Sequence, residues 1–272
     1  MAIFSNTRIQ LRHKLSRLMN DLVTGVVSSP GSGTFVCATT HWEKFDDYFN
    51  DFLEVFCYSG TGVGTSGNPT NWVNSTHTLT FKPAATLTAS DLVELHQRFS
   101  VDEYNEAINH AIDQVANDAL VDRVDQTITT ASSTWRYVIP TQFLYIDAVY
   151  IADSTAAFNT KDPIDPKYWR ISKEATLYLE FVKEFFTPTA SRTLRIVGLA
   201  SPSILDTDTE ACSIDPEYIL QSAKSFLHQS RIRGRDKDSE FHASQMAISR
   251  KISDDKRKEM STNRSGRAVV EV

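Results

Sequence analysis

The chain has 272 residues, of which 41% are hydrophobic and 23% charged, and its formal net charge at pH 7 is −6. A chain of this size and composition can bury a substantial core and form one or two globular domains. The acidic balance argues against a protein that coats nucleic acid over its whole surface. No apolar run approaches the ~20 residues needed to cross a bilayer, so we expect no membrane association. The three cysteines lack Cys-x-x-Cys spacing and are predicted to be reduced thiols of an intracellular protein: Cys37, Cys57 and Cys212.

The N-terminal stretch has the spacing of an amphipathic helix, with apolar residues every three to four positions. This spacing predicts a helix over residues 6–24, capped by Asn6 or Thr7 and stopped by Gly25. Basic residues are spread through the apolar positions and do not precede an unbroken apolar block. We therefore expect no signal peptide.

Residues 25–96 are predicted to form a small β-rich unit. Short strands are predicted from β-branched and aromatic content at residues 34–39, 52–58 and 78–81. The run 59–69 is rich in Gly, Ser and Thr and is predicted to be a flexible loop.

A second helix is predicted after this unit. Ser100 and Glu103 have the spacing of a capping box, in which each side chain accepts a bond from the other residue's backbone N–H. Apolar residues follow on one face at helical spacing. We therefore expect a helix over about residues 101–119.

Residues 121–200 contain several strand-like runs separated by turns, which predicts a β-sandwich or small barrel. Asp215 and Pro216 then mark a helix start, because Asp accepts from free N–H groups and Pro loses no bond in the first turn. A last helix, rich in both charge signs, is predicted to begin near Asp238. Residues 261–272 are predicted to be a flexible tail.

These elements predict an α+β fold. It consists of a helical bundle, made of the N-terminal helix, the central helix and the C-terminal helical pair, with two inserted β-rich units. The predicted helical core comprises residues 1–24, 97–120 and 201–260. The inserted units are residues 25–96 and 121–200.

The acidic loop that starts at Asp206 contains a pattern found in enzymes. Asp206 and Asp208 have the Asp-x-Asp spacing of haloacid-dehalogenase-type phosphatases, which use the first Asp as a nucleophile at the end of a buried strand, with Mg²⁺. The preceding Ile204-Leu205 is too short for such a strand, so a solvated loop is favoured.

The glycines between residues 60 and 67 lack a following Lys-Ser/Thr, and the seven histidines show no metal-ligand spacing. We expect no enzymatic activity, no cofactor and no metal.

Basic residues cluster at the turn between the last two helices and within the last helix: Arg231, Arg233, Arg235, Lys237, Arg250, Lys251, Lys256, Arg257 and Lys258. Such a set could contact DNA phosphates. Acidic residues are interleaved with it, which favours salt-bridged surfaces or protein contacts over a phosphate-binding patch.

Two stretches of the chain share their order of elements with a known family. In the first, residues 91–100 (DLVELHQRFS) read as a strand ending in a turn, and residues 104–112 (YNEAINHAI) as the helix that follows. In the second, residues 194–202 (LRIVGLASP) lead through the acidic loop into residues 214–219 (IDPEYI) and the last helical pair. This pattern resembles the head-to-tail connector (adaptor) proteins of tailed bacteriophages, and the order of elements covers nearly the whole chain.

The resemblance implies a virion structural protein of the neck, assembled in the host cytoplasm. In that family several copies, typically twelve, form a homo-oligomeric ring below the portal protein of the head. The ring continues the DNA channel toward the tail or the next connector, so genomic DNA would pass through without sequence-specific binding. A stopper or tail-completion protein of the same region is an alternative, as is a metal-dependent phosphatase built on the acidic loop.

The resemblance also implies that the terminal helices dock on the portal. The last helix has a narrow apolar stripe beside basic residues, which suits a helix lying along a partner. The candidates for contact with the portal are Phe241, Ile248, Arg250, Lys251, Ile252 and Arg257. The same stripe could instead pack within the chain's own helical bundle.

Overall fold

The computed structural model describes residues 4–37, 42, 44–140, 143–153, 157–158, 163–174, 176–233 and 238–262. The chain divides into two compact units. One is Met1–Gln114 with Ile204–Lys258, and the other is Val115–Ser203 with Glu259–Val272.

The elements of the first unit begin, in chain order, with β1 (Asn6–Thr7), α1 (Arg8–Leu18), β2 (Leu22–Gly31), β3 (Thr34–Cys37), β4 (Glu54–Ser59), β5 (Ser66–Val73), β6 (Thr78–Lys82), β7 (Leu92–His96) and α2 (Val101–Gln114). The second unit holds β8 (Val121–Asp125), β9 (Arg136–Val138), β10 (Phe143–Ile151), β11 (Trp169–Lys173), β12 (Leu177–Phe181) and β13 (Leu194–Ala200). The remaining elements are β14 (Ala211–Cys212), α3 (Pro216–Arg233) and α4 (Ser239–Thr262).

Six antiparallel strands of the first unit form a closed barrel in the order β2-β3-β6-β5-β4-β7, in which β7 pairs with β2. Large aromatic side chains fill it, among them the fully buried Trp42, Trp72 and Phe49. A Cβ added to Gly25 would lie 2.6 Å from the Trp42 ring, whose indole N–H donates to the Thr24 carbonyl at 2.8 Å. Gly25 therefore leaves room for a core tryptophan inside β2 and does not end a helix.

Helices α1, α2 and α3 pack on one another within the same unit. The predicted capping box at the start of α2 is confirmed, since the Ser100 N–H donates to Glu103 Oε2 at 2.7 Å and the Glu103 N–H donates to Ser100 Oγ at 3.2 Å. Thr7 caps α1, which is one of the two predicted caps. The predicted apolar face of α2 is buried, but the helix ends at Gln114 and not near residue 119.

The second unit contains two antiparallel sheets, each of three strands, in the orders β10-β13-β8 and β11-β12-β9. Residues from both sheets meet in one apolar core, which includes Val149 and Ile196 from the first sheet and Leu179 from the second. Within β13, buried and half-buried residues alternate from Leu194 to Ala200, as expected for strands with one face on a core.

The predicted fold class, a helical bundle with two inserted β-rich units, is wrong. The described chain is mostly β, with a closed six-stranded barrel, further small sheets and four α-helices. The predicted N-terminal helix over residues 6–24 is too long, because Asn20 adopts a positive φ of 53° and β2 begins at Leu22. The last three residues of that predicted helix, 22–24, therefore belong to the barrel.

A second error concerns the predicted flexible loop over residues 59–69. Its last residues open strand β5, which starts at Ser66 and reaches Trp72 in the barrel core. A Cβ on Gly67 would lie 2.7 Å from the Phe81 ring, so this glycine allows close packing inside the barrel. A run rich in glycine and serine predicts a loop, but in this strand the small residues make room for large aromatic neighbours.

At the C-terminus, α4 continues to Thr262, and residues 263–272 of the predicted tail lie outside the described residues. The three cysteines are buried, reduced thiols. None of the described helices is long and apolar enough to span a membrane.

Candidate functional site

The helices α3 and α4 form an antiparallel hairpin. The start of α3 is fixed by Asp215, whose carboxylate accepts from the Glu217 N–H at 2.9 Å, as the sequence predicts. Contacts then run in opposite directions along the two helices: His228 Nδ1 lies 2.8 Å from His242 Nδ1, Lys224 Nζ donates to Gln245 Oε1 at 3.2 Å, and Lys256 Nζ lies 3.1 Å from Glu217 Oε2.

The side of α4 that faces α3 is polar. Ser249 and Ser253 are buried there, and Ser253 Oγ donates to the Arg250 carbonyl one turn earlier. Small hydroxyl side chains bury little apolar area in the contact between α3 and α4, which we call the seam. Hydrogen bonds and ion pairs therefore hold the hairpin more than a hydrophobic stripe does.

The apolar residues of α4 lie elsewhere on its surface. Phe241 is 52% exposed and Ile248 is 54% exposed, and their spacing of seven residues puts them on the same side of the helix. The Phe241 ring also contacts the rings of His228 and His242 at its inner edge. This outward side of α4, defined by Phe241 and Ile248, is the candidate docking surface.

Of the other predicted contact residues, Ile252 lies near the side of Phe241 and Ile248, whereas Arg250 and Arg257 project from nearly the opposite side of α4 at about 100° of rotation per residue. Arg250, Lys251 and Arg257 are exposed on α4, and Ile252 is half-buried. The apolar stripe predicted from sequence is therefore divided: Phe241 and Ile248 point to solvent, whereas Ile252 is partly covered. Of the basic residues at the turn before α4, Arg231 lies over the Phe99 ring, 4.5 Å from its centroid. Arg235 and Lys237 lie outside the described residues, as does the side chain of Arg233.

A buried charge network occupies the interior of the first unit. Arg12 of α1 is fully buried, and its guanidinium donates to Glu94 Oε1 at 2.9 Å, to both oxygens of Asp208 at 2.8 and 2.7 Å, and to Asn105 Oδ1 at 3.1 Å. Arg8 adds a further bond to Asp208 at 2.8 Å. One arginine thus links α1, β7, α2 and the acidic loop.

Glu94 is the central acid of this network. His13 Nε2 lies 2.6 Å from its Oε2 atom, and His96 Nε2 lies 3.7 Å from the same oxygen. Burial by itself would raise the pKa of Glu94, but the neighbouring His13 and His96 and the charge of Arg12 lower that pKa to about 2. Glu94 is therefore a buried carboxylate that stays ionised at neutral pH.

Asp21 holds the turn between β7 and α2. Its carboxylate accepts from three successive backbone N–H groups, those of Gln97, Arg98 and Phe99, at 2.7, 2.8 and 3.2 Å. It also accepts from the Tyr104 hydroxyl at 2.8 Å. The turn that carries the sequence resemblance is thus tied by one buried acid to the end of α1.

The acidic loop is part of the same network. Asp208, the second aspartate of the phosphatase-like pattern, is bound by Arg8 and Arg12, and these two charges hold its pKa below the usual range in spite of partial burial. Glu210 accepts from the backbone N–H groups of Asp206 and Thr207. Within the described residues no three His, Cys, Asp or Glu side chains are grouped to hold a metal ion. The arrangement fixes the loop against α1.

Apart from Asp208, the residues of this network were not singled out from the sequence. Arg12 follows Leu11 and precedes Leu15 by three positions, so it lies on the apolar side of α1. That position is a weak signal, because a long side chain can also extend to solvent from such a place. The partners of Arg12 are 82 and 196 residues away, and no local pattern identifies them.

No protein-family model matches the chain, and a comparison with curated proteins finds no match either.

Proposed function

We propose that the chain is a virion structural protein of the head-to-tail connector type, which forms an oligomeric ring and docks on the portal protein through α4. The observation that supports this most is the outward side of α4, where Phe241 and Ile248 are exposed on a helix that meets its neighbour α3 through polar residues. The sequence resemblance supplies the identity of the partner.

The docking surface has the chemistry of a protein contact. An aromatic and a branched aliphatic side chain at its centre can fill pockets on a partner, and such anchors carry most of the binding energy in protein interfaces. The exposed Lys251, about 60° around α4 from Ile248, adds a charge at the edge of this surface that can steer association, whereas Arg250 and Arg257 project from the other side. A helix of 24 residues offers a contact line of about 36 Å.

The remaining parts of the proposal concern the assembled ring. Copies arranged around a portal raise one another's effective concentration, so contacts that are weak individually hold a stable joint. A head-to-tail interface that closes by rotation produces such a ring. The net charge of −6 suits a channel wall along which DNA must slide, since phosphate-binding surfaces would retain it. The opposite face of the ring would receive the tail or a stopper or tail-completion protein.

Electron microscopy of the purified protein, alone and mixed with its portal, tests the proposal. We expect rings that cap the portal. The double variant Phe241→Asp with Ile248→Asp should abolish capping, because each charge would be buried against an apolar pocket. The matched control, Ala243→Asp with Ala247→Asp, adds the same charges at exposed positions on another side of α4 and should leave capping intact.

Three results would count against portal docking through this surface. The native protein could ignore the portal, the double variant could still cap it, or both double variants could fail equally. Binding to a portal–adaptor complex but never to the portal alone would assign the chain to the stopper class.

A further inference from the structure

A broad cleft of about 1170 Å³ opens in the first unit beside the start of α4. Its apolar lining includes Met19, Leu53, Phe99 and Phe241, and two of these side chains are open to solvent: Leu53 is 38% exposed and Phe241 52% exposed. Apolar side chains left exposed inside a concave surface are typical of a binding site.

Phe241 belongs both to this cleft and to the docking surface of α4. Its side chain lines the cleft, and it lies on the same side of α4 as Ile248, the other residue that defines the docking surface. A partner that covers Phe241 therefore also reaches the edge of the cleft. The cleft is continuous with the docking surface, so both are parts of one contact with one partner.

The acids that line this cleft are bound by backbone groups. Glu54 Oε2 accepts from the Val101 N–H at 2.7 Å, and Glu103 Oε2 accepts from the Ser100 N–H at 2.7 Å, so both carboxylates cap the start of α2. A third acid, Asp238, is exposed just before α4. Three carboxylates in the lining make the cleft unfavourable for a polyanion such as DNA.

The cations of the cleft are in a different situation. Arg98 is exposed, and Arg231 is half-buried with its guanidinium over the Phe99 ring, 4.5 Å from the centroid. No ion pair among the described residues involves either arginine. The cleft therefore offers two guanidinium groups next to apolar side chains, which fits a segment that combines apolar residues with a carboxylate.

We propose that the cleft receives a segment of the portal protein in which apolar residues flank an aspartate or glutamate. The carboxylate pairs with Arg98 and Arg231, and the apolar residues pack against Leu53 and Phe241. Arg231 is already held over the Phe99 ring, so it loses little side-chain freedom on binding. The inference rests on the proposed function, because it specifies what the portal presents to this side of α4.

The affinity of the chain for its purified portal, measured at low and high salt, tests the charge pairing. We expect Arg98→Glu to weaken binding about tenfold or more at low salt, since it turns an attraction into a repulsion, and to reduce the loss of affinity on raising the salt. Arg98 is exposed, so this variant should fold as the native chain does. The matched control, Lys14→Glu, makes the same charge change at an exposed position of α1 outside the cleft and should bind like the native chain.

A photo-crosslinking reporter placed in the cleft identifies the occupant directly. The reporter is attached to Leu53→Cys, at an exposed position, whereas the native Cys37, Cys57 and Cys212 are buried. We expect a crosslink to a portal segment that contains Asp or Glu beside apolar residues, identified by mass spectrometry. The same reporter on Ala247→Cys, on another side of α4, should not give this product.

Three results would overturn the inference. The reporter at position 53 could crosslink only to a second copy of the chain or to no protein, duplex DNA could abolish the crosslink to the portal, or Arg98→Glu could bind the portal like the native chain. Each of these leaves the proposed function intact if the native chain caps the portal and the variant Phe241→Asp with Ile248→Asp does not. Failure of the native chain to cap the portal would overturn the proposed function itself.

Discussion

Arg12 loses all contact with solvent, and Glu94, Asp208 and Asn105 satisfy its guanidinium. A buried ion pair adds little net stability, because desolvation of both charges offsets their attraction. The loss of one partner is a different matter, since it leaves the other charge buried and uncompensated. The network therefore specifies one arrangement of α1, β7 and the acidic loop more than it adds to the total free energy.

Replacement of Arg12 by alanine should be strongly destabilising. We expect Arg12→Ala to lower the free energy of unfolding by about 3–5 kcal/mol, because Glu94 would lose its fully buried partner. Urea denaturation followed by circular dichroism measures the change. Arg170→Ala, at an exposed ion pair, should cost about 0–1 kcal/mol in the same assay. Equal losses in the two variants would show that the buried network has no special role.

The low pKa of Glu94 predicts a dependence of stability on pH. In the unfolded chain this carboxyl titrates near its ordinary value of 4.5, and in the native chain it titrates near 2. Between these values the unfolded state binds more protons, so the contribution of Glu94 is full above about pH 4.5 and is lost as the pH falls toward 2. The stability difference between the native chain and Glu94→Gln should therefore shrink over this window. A difference that is constant from pH 7 to pH 2.5 would contradict the assignment.

Among the elements, the α3–α4 hairpin is unusual because its seam is polar. His228 is only 4% exposed, and its Nδ1 atom faces Nδ1 of His242 at 2.8 Å. A hydrogen bond between two nitrogens needs one donor and one acceptor, so both rings cannot be protonated while the bond persists. Burial, followed by the charges of His242, Lys224 and Arg98, lowers the pKa of His228 to about 4.

Acid should weaken this hairpin. An unfolded His228 takes up its proton near pH 6.5 and the native one near pH 4, so stability falls as the pH drops through this range. Thermal unfolding of the native chain and of His228→Gln, measured from pH 7 to pH 4, checks this. We expect a smaller decline in Tm for the variant, because glutamine keeps hydrogen-bonding groups without titrating. An equal decline in both proteins would place the acid sensitivity elsewhere.

For the molecule as a whole, the features predicted correctly from the sequence are those determined by neighbouring residues. The cap at Thr7, the capping box at Ser100 and the start of α3 at Asp215 depend on residues two or three positions apart, and all are confirmed. The sequence left open whether Phe241 and Ile248 face a partner or pack within the chain, because an apolar stripe has the same spacing in both cases.

The errors arose where residues far apart in the chain determine the local structure. The end of α1 depends on Asn20 and on the pairing of β2 with β7, some seventy residues later in the chain. Strand β5 was missed because Gly67 and its neighbours favour loops unless an aromatic core requires small residues there. The fold class depends on closure of the barrel, and no local sequence pattern indicates whether a set of strands closes.

The closed barrel has a consequence for aggregation of this chain. Open sheet edges are templates on which further chains add strand by strand, the route by which many β-rich proteins aggregate. All six strands of the barrel have a neighbour on either side, so this part of the molecule offers no such template. Copies crowded during synthesis therefore find no open strand edge in the barrel on which to pair, which removes one route to aggregation.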